Sequence, residues 1–341
     1  MIEYIRKYNI GEIHLQGEPL LSVILNIENS QENLNRSLGA LFACKNERPV
    51  EVRAAVRAGK FAAPQILSVY QRSSELFSFT LCGEESPEQS VAKEIEKAAG
   101  KYVLVADGGD VFSADGLSEL IDYLGTLSSD AVFFDTLENG RRTPAARAKN
   151  FTAEGRIETF LSQNARAVFP VSGAAIRKEF FLQSLPRSRA LGFEETFAIA
   201  PLMFAETAYY ARTTVLQIGE ARAERDSVEL LRKSIQKALG LADFFGEMRP
   251  LLSDEKYAFL FRYTRKKILN AYDAYVRAGG GQDEISAFDE KLRDKNMPLY
   301  LSAGERSLLS YVEKLRKSGF ALTKLQAFAV KLCLEVQDDF S

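Results

Sequence analysis

Gly100 to Leu117 reads GKYVLVADGGDVFSADGL. Its first half, Lys101 to Ala106, is a short uninterrupted apolar run, the pattern of a strand buried on both faces in a parallel sheet. Two carboxylates, Asp107 and Asp110, come directly after it, separated by two glycines. Ser113 then stands where a helix N-cap belongs, and Leu117, Leu120, Ile121 and Leu124 fall on one helical face. The stretch therefore predicts strand, acidic turn, capped helix. Carboxylates just past a buried strand can hold a divalent cation through oxygen ligands. They can equally be plain turn formers in a Gly-rich turn.

The same alternation extends upstream. Pro19 to Ile27 (PLLSVILNI) predicts a buried strand. Asn29 or Ser30 offers a cap, Asn29 with Glu32 forms a capping-box pattern, and Leu34, Leu38, Leu41 and Phe42 make a helical face. Val50 to Val56 predicts a strand and Ala63 to Arg72 a helix with Pro64 in its first turn. Phe77 to Cys82 predicts a strand, and Ser86-Pro87 opens a helix to about Ala99, ended by Gly100. Downstream of the quoted stretch, Asp130 to Phe134 predicts another strand. Strands and helices alternating at this spacing imply α/β architecture, a Rossmann-like, mostly parallel sheet with helices on both faces. Such sheets bind ligands at the carboxyl ends of their strands, which selects the turns after Ile27 and after Ala106.

Further along, Glu138 to about Asn164 is mostly polar and predicts a connecting loop over the cleft. Ala167 to Ile176 returns to strand character. Phe193 to Phe204 predicts a helix that Pro201 must kink or split. After about Arg222 long amphipathic patterns replace strands. Ser253 caps a helix with Asp254 and Glu255 in its first turn. Tyr257, Phe261, Thr264, Ile268, Tyr272 and Tyr275 lie near one face of it, and Gly279 to Gly281 ends it. Two more helices are expected, around Ala303 to Lys317 and Thr323 to Val336. The expected organisation is an N-terminal extension over 1–17, an α/β domain over 18–222 and an α-helical domain over 223–341.

Composition narrows the chemistry. The chain has 341 residues with 44 Lys and Arg against 46 Asp and Glu, a formal net charge of −2. That balance lacks the basic surplus of a nucleic-acid binder. His14 is the single histidine, so no multi-histidine zinc site can form within one chain. Acid–base work falls to Asp, Glu, Lys or Tyr. Cys44, Cys82 and Cys333 match no CxxC spacing and suit a reducing compartment. The start, Met1 to Lys7, lacks the apolar core of a signal peptide, and no run of about 20 apolar residues exists to span a membrane. The expected location is cytoplasmic, with peripheral attachment at the inner face of the membrane open.

The quoted stretch resembles the metal-binding motif of family-2 glycosyltransferases, in which a strand ends in Asp-x-Asp-Asp and leads into a helix. Ala98 to Tyr102 resembles the approach to that strand. Ser22 to Asn29 (SVILNIEN) is similar to the family's first nucleotide-binding strand, and Phe193-Glu194-Glu195-Thr196 to its acidic pair at a helix start. The likeness covers roughly Pro19 to Gln217. It implies a GT-A fold and inverting transfer of a sugar from a nucleotide-sugar, a UDP-sugar foremost, to a cell-surface polysaccharide, teichoic-acid or lipid-linked acceptor. It implies Mn²⁺ or Mg²⁺ on Asp107 and Asp110, donor contacts from Asn26, Glu28 and Asp107, and diphosphate neutralisation by Arg222 or Arg225. Glu194 or Glu195 would be the base on the acceptor hydroxyl, a role that suits a carboxylate whose neighbour raises its pKa. The departures are specific. The family's middle acid falls on Gly109, its first-turn Pro and Tyr on Asn26 and Glu28, its second-strand Asp pair near Val56-Arg57, and its Arg-Asn phrase near Val91-Ala92. A non-catalytic GT-A-like subunit that binds a partner enzyme or a glycan is therefore the alternative.

In the helical region Arg262, Arg265, Lys266 and Lys267 alternate with Phe259, Phe261 and Tyr263. An aromatic core face with a solvated basic face explains this pattern. It also allows contact with an anionic membrane, a polymer acceptor, a second copy of the chain or a partner glycosyltransferase.

Overall fold

The structure is a computed structural model that describes residues 18–28, 33–44, 46, 48–57, 63–143, 154–164, 169–219, 227–278, 281–295 and 306–320. The chain divides into two compact units, Met1–Arg189 with Phe193–Ala221, and Ala190–Gly192 with Arg222–Ser341.

The first unit is built on β1 (Leu21–Ile27), α1 (Leu34–Ala43), β2 (Val50–Arg57), α2 (Ala63–Ser73), β3 (Phe77–Cys82), α3 (Pro87–Lys97) and β4 (Tyr102–Asp107). Next come β5 (Val111–Phe112), α4 (Ala114–Thr126), β6 (Ala131–Glu138), β7 (Arg141–Thr143), β8 (Gly155–Arg156) and α5 (Ile157–Gln163). A 3₁₀ turn (Val171–Gly173), β9 (Ala174–Arg177), α6 (Lys178–Ser184), a π-helical turn (Glu195–Ile199) and β10 (Thr207–Gln217) complete it. The strands form one sheet in the order β3-β2-β1-β4-β9-β6-β10-β5, with β7 on β6 and β8 on β10. β1 pairs in parallel with both β2 and β4, and β10 in parallel with β6. β9 runs antiparallel between β4 and β6.

The apolar runs do what their composition demands. Every residue of β1 is buried, and so are the first five of β4. Leu34, Leu38 and Leu41 of α1 and Leu117, Leu120, Ile121 and Leu124 of α4 share one core with β1, β2, β4 and β6. Ser86 and Gln89 form a reciprocal capping box on α3, with Pro87 at its first turn. Ser113 caps α4 by accepting from the Gly116 amide at 3.2 Å.

At the amino ends of the strands the sheet buries a polar cluster. Glu51 accepts from the Ser22 hydroxyl at 2.5 Å and from the Ala99 amide at 2.7 Å. Arg53 bonds both Glu51 and Glu94 at 3.0 Å. Glu94 also accepts from Thr80 at 2.8 Å and Lys97 at 2.9 Å. Burial alone would raise the Glu94 pKa, but the bonds from Lys97 and Thr80 and the charges of Arg53 and Lys97 hold it below the ordinary value. A Cβ on Gly100 would lie 2.5 Å from the Ser22 backbone nitrogen, so this approach to β4 admits no side chain.

Two expectations are revised. The Glu138–Asn164 segment is not all loop. β6 turns at Asn139 and Gly140, both at positive φ, into β7. Such a two-residue Asn-Gly turn matches the right-handed twist of the flanking strands. α5 forms because Ile157, Phe160 and Leu161, spaced i, i+3 and i+4, bury together. Of the strand expected over Ala167 to Ile176, the described residues from 169 on form one only over Ala174–Arg177, behind the 3₁₀ turn at Val171–Gly173. The helix expected over Phe193 to Phe204 is split at Pro201, as the missing donor requires, into the π-helical turn and a 3₁₀ turn (Pro201–Met203). The expected Asn29 or Ser30 cap and the helix over Thr323 to Val336 lie outside the described residues.

The second unit holds α7 (Ser227–Met248), α8 (Asp254–Ala278), α9 (Gln282–Asp294) and α10 (Arg306–Lys317). α7 packs along α8, and α9 packs on both. Its core includes Leu231, Ile268, Tyr272, Tyr275, Phe288 and Leu315. Of the face expected on α8, Thr264, Ile268, Tyr272 and Tyr275 are buried, while Tyr257 and Phe261 are half-buried. Arg265 and Lys267 lie over the rings of Phe261 and Tyr263, at 5.7 and 5.3 Å from the centroids. Asp289, 1% exposed, accepts from Tyr272, Arg293 and, through both oxygens, Arg316. Among the described residues no helix is long and apolar enough to cross a membrane.

Candidate functional site

The site sits where β1 and β4 end side by side. The register pairs Asn26 with Asp107, so these two residues and Glu28 meet at the carboxyl edge. Strand order fixes this as the crevice of an open α/β sheet. Asn26 is buried, Glu28 half-buried and Asp107 exposed. The Asp107 pKa is raised, first by loss of hydration and then by the Glu28 charge, against a lowering bond from the Gly109 amide. On the other side of β1, β2 ends in exposed Arg57, whose guanidinium donates to the Glu85 carbonyl at 2.7 Å. A cation thus stands near where the resemblance puts a pair of acids.

The Asp-Gly-Gly-Asp turn is held from within. The Gly108 amide donates to the Asn26 carbonyl at 2.8 Å. The Gly109 amide donates to Asp107 Oδ1 at 2.8 Å, and Asn33 Nδ2 to the Gly109 carbonyl at 3.2 Å. Asp110, 3% exposed, points inward. Its Oδ2 accepts from the Asp107 amide at 3.1 Å and its Oδ1 from the Gly219 amide at 2.9 Å. Burial raises its pKa, opposed by the Gly219 and Asp107 amides and by a bond with Ser172. Gly219 lies just past β10, and a Cβ there would lie 2.6 Å from the Gly109 carbonyl oxygen. Only glycine lets the two segments approach this closely.

A divalent cation needs several oxygen ligands with room to converge. The turn supplies few. Gly108 and Gly109 bring no side chain, both Asp110 oxygens are engaged by backbone amides, and Asp107 Oδ1 is engaged by Gly109. Among the described residues no group of three or more His, Cys, Asp or Glu is arranged to hold a metal. Among the described residues the turn by itself does not complete a protein-held coordination shell.

The 3₁₀ turn at Val171–Gly173 carries Ser172 to Asp110, packs on β4, and packs on the π-helical turn Glu195–Ile199. It links the acidic turn to the expected acid pair. Extra-wide helical turns of this kind recur at functional sites. The pair is divided between two environments: Glu194 is exposed and Glu195 is fully buried. Arg222 and Arg225 lie outside the described residues, three and six positions past Gly219.

Ser172, Asn33 and Gly219 carry no mark in the sequence. Each is a small polar or glycine residue whose part depends on a partner 62 or more positions away, and no local pattern distinguishes it.

No protein-family model matches the chain, and no curated protein sequence does. Solved structures match. A fragment of Staphylococcus aureus TarS, residues 1–349, bound to UDP-GlcNAc aligns over 88% of this chain and 89% of its own, with TM-score 0.61 and 15% identity. The same fragment bound to UDP aligns over 88% of each chain, with TM-score 0.56 and 15% identity. A longer TarS chain aligns over 88% of this chain and 54% of its own, with TM-score 0.57 and 14% identity. At this identity the likeness establishes the architecture: the chain has the α/β fold of GT-A glycosyltransferases, with helices after it.

Proposed function

We propose that the chain transfers a sugar from a nucleotide-sugar, a UDP-sugar foremost, to a cell-surface polysaccharide, teichoic-acid or lipid-linked acceptor, with inversion. The observation that carries this reading is the meeting of Asn26, Glu28 and Asp107 at the carboxyl edge between β1 and β4. The binding of UDP-GlcNAc and of UDP by TarS, which shares the fold, supports the donor class. In this reading residues 18–222 form the transferase domain and 223–341 a helical domain for self-association, a partner glycosyltransferase or the acceptor. On the same reading the protein works in the cytoplasm, with peripheral attachment at the inner face of the membrane left open.

The work is divided among a few side chains. Asn26, Glu28 and Asp107 contact the nucleoside side of the donor. Arg222 or Arg225 neutralises the departing diphosphate. Glu194, the exposed member of its pair, takes the proton from the acceptor hydroxyl as that oxygen attacks the anomeric carbon opposite the leaving group. The donor's C–O bond breaks and the nucleoside diphosphate leaves with the electron pair. Glu195, fully buried, fixes the turn that presents Glu194. A divalent cation, where a transferase of this fold uses one, stabilises charge on the leaving diphosphate; no step here depends on it.

The test is release of nucleoside diphosphate from a panel of UDP-, GDP- and CDP-sugars, with and without acceptor glycans. Turnover of one donor, lost in Glu194→Gln, supports the reading. No turnover and no binding of any donor would sink it. A second reading, a non-catalytic subunit that binds a partner or a glycan, is favoured by one observation: Gly109 stands where a side-chain ligand belongs.

A further inference from the structure

We propose that Asp110 is a positioning residue that braces the β4 turn against the exit of β10, and that nucleotide binding at this site requires no divalent cation. The inference rests on the nucleotide-sugar reading and adds to it how the site is held. Three observations converge. Asp110 is buried to 3% exposure, with each oxygen bonded to a different backbone amide, one in its own turn and one across the sheet at Gly219. Gly219 packs so tightly on Gly109 that a Cβ would meet its carbonyl at 2.6 Å, so the bond closes a fitted junction. Position 109, between the two carboxylates and Asn33, has no side chain to offer an ion, and its carbonyl is engaged by Asn33.

Each Asp110 oxygen already serves a backbone amide, and at 3% exposure the carboxylate is turned away from an incoming cation, which opposes its use as a ligand. The bond instead sets where the chain leaves β10. The segment beyond Gly219 therefore starts from a point fixed relative to Asp107, the carboxylate that faces solvent.

The experiment uses the full chain stripped with EDTA. UDP affinity is measured by calorimetry in EDTA and in Mn²⁺, for the wild type and for Asp110→Asn. Melting is followed with Mn²⁺ alone. The expected result is a wild-type dissociation constant that agrees within about twofold in the two conditions. Asp110→Asn should weaken UDP by about tenfold or more in both, because a misplaced turn degrades binding geometry. Mn²⁺ tightening UDP about tenfold in the wild type, with that gain lost in Asp110→Asn, would overturn the proposal. So would a wild-type melting point raised by Mn²⁺ alone and not raised in the variant. If UDP binds in neither condition, the nucleotide-sugar reading fails, and the Mn²⁺ melting arm decides the brace on its own: no rise supports it, a variant-sensitive rise refutes it. Should Asp110→Asn fail to fold, the wild-type comparison of EDTA with Mn²⁺ still decides.

Discussion

The Gly219 amide donates to Asp110 Oδ1 at 2.9 Å, across 109 positions of sequence. The bond joins the turn after β4 to the exit of β10, and the Asp107 amide occupies the other oxygen of the same carboxylate. Removing that carboxylate orphans two part-buried amides, at up to about 1–3 kcal/mol each. Asp110→Ala should therefore destabilise the first unit by about 3 kcal/mol. Urea unfolding checks this, and Asp110→Asn, whose amide oxygen keeps one of the two bonds, should lose less.

Gly219→Ala tests the same junction from the other side. Its Cβ would press on the Gly109 carbonyl oxygen from 2.6 Å, and both parties are backbone. Overpacking of this kind costs about 1–3 kcal/mol. A lower melting point together with weaker nucleotide binding is expected; an unchanged protein would show that the junction is loose.

The two glutamates should separate in kinetics. Exposed Glu194 as base predicts a fall in kcat of about 10²–10⁴-fold for Glu194→Gln, with melting unchanged. Glu195 is wholly buried, so Glu195→Ala should lower the melting point through the core. Equal effects on both quantities from both variants would contradict the assignment.

In the helical unit Asp289 should set an acid limit. Burial alone would raise its pKa, but bonds and charge from Arg316, with bonds from Tyr272 and Arg293, hold it below the ordinary value. A carboxyl depressed in the folded state contributes stability that is present above its unfolded pKa and lost as pH falls through the folded one. The unit should therefore weaken below about pH 4. Asp289→Ala, which leaves Arg316 without its bidentate partner, should cost about 3 kcal/mol at neutral pH and flatten that acid limb. Circular dichroism melts across pH read both effects.

Much of the fold is legible locally. The runs at Leu21–Ile27 and Tyr102–Asp107 are apolar because parallel strands are covered on both faces, and Ser86 and Ser113 announce their helices through capping chemistry. The Asn139-Gly140 turn carries an equally local signal, but the polar residues around it suggest loop and mask it. β9 is shorter than its hydropathy suggests because Pro170 and Gly173 interrupt an apolar stretch that reads as continuous. Asp107 and Asp110 can be placed together at a strand end from sequence, but not told apart. Which carboxylate faces solvent and which is spent on amides depends on Gly219, and spacing in the chain carries no trace of that contact.

The most direct measurement is thermal stability of the full chain against UDP, GDP, CDP and their sugars, repeated with Asp107→Ala. A ligand at 100 times its dissociation constant adds about 2.7 kcal/mol. A shift with one nucleotide class, lost in Asp107→Ala, is the result the nucleotide-sugar site at the β1–β4 edge predicts. No shift with any of them, or a shift that Asp107→Ala leaves intact, would contradict it.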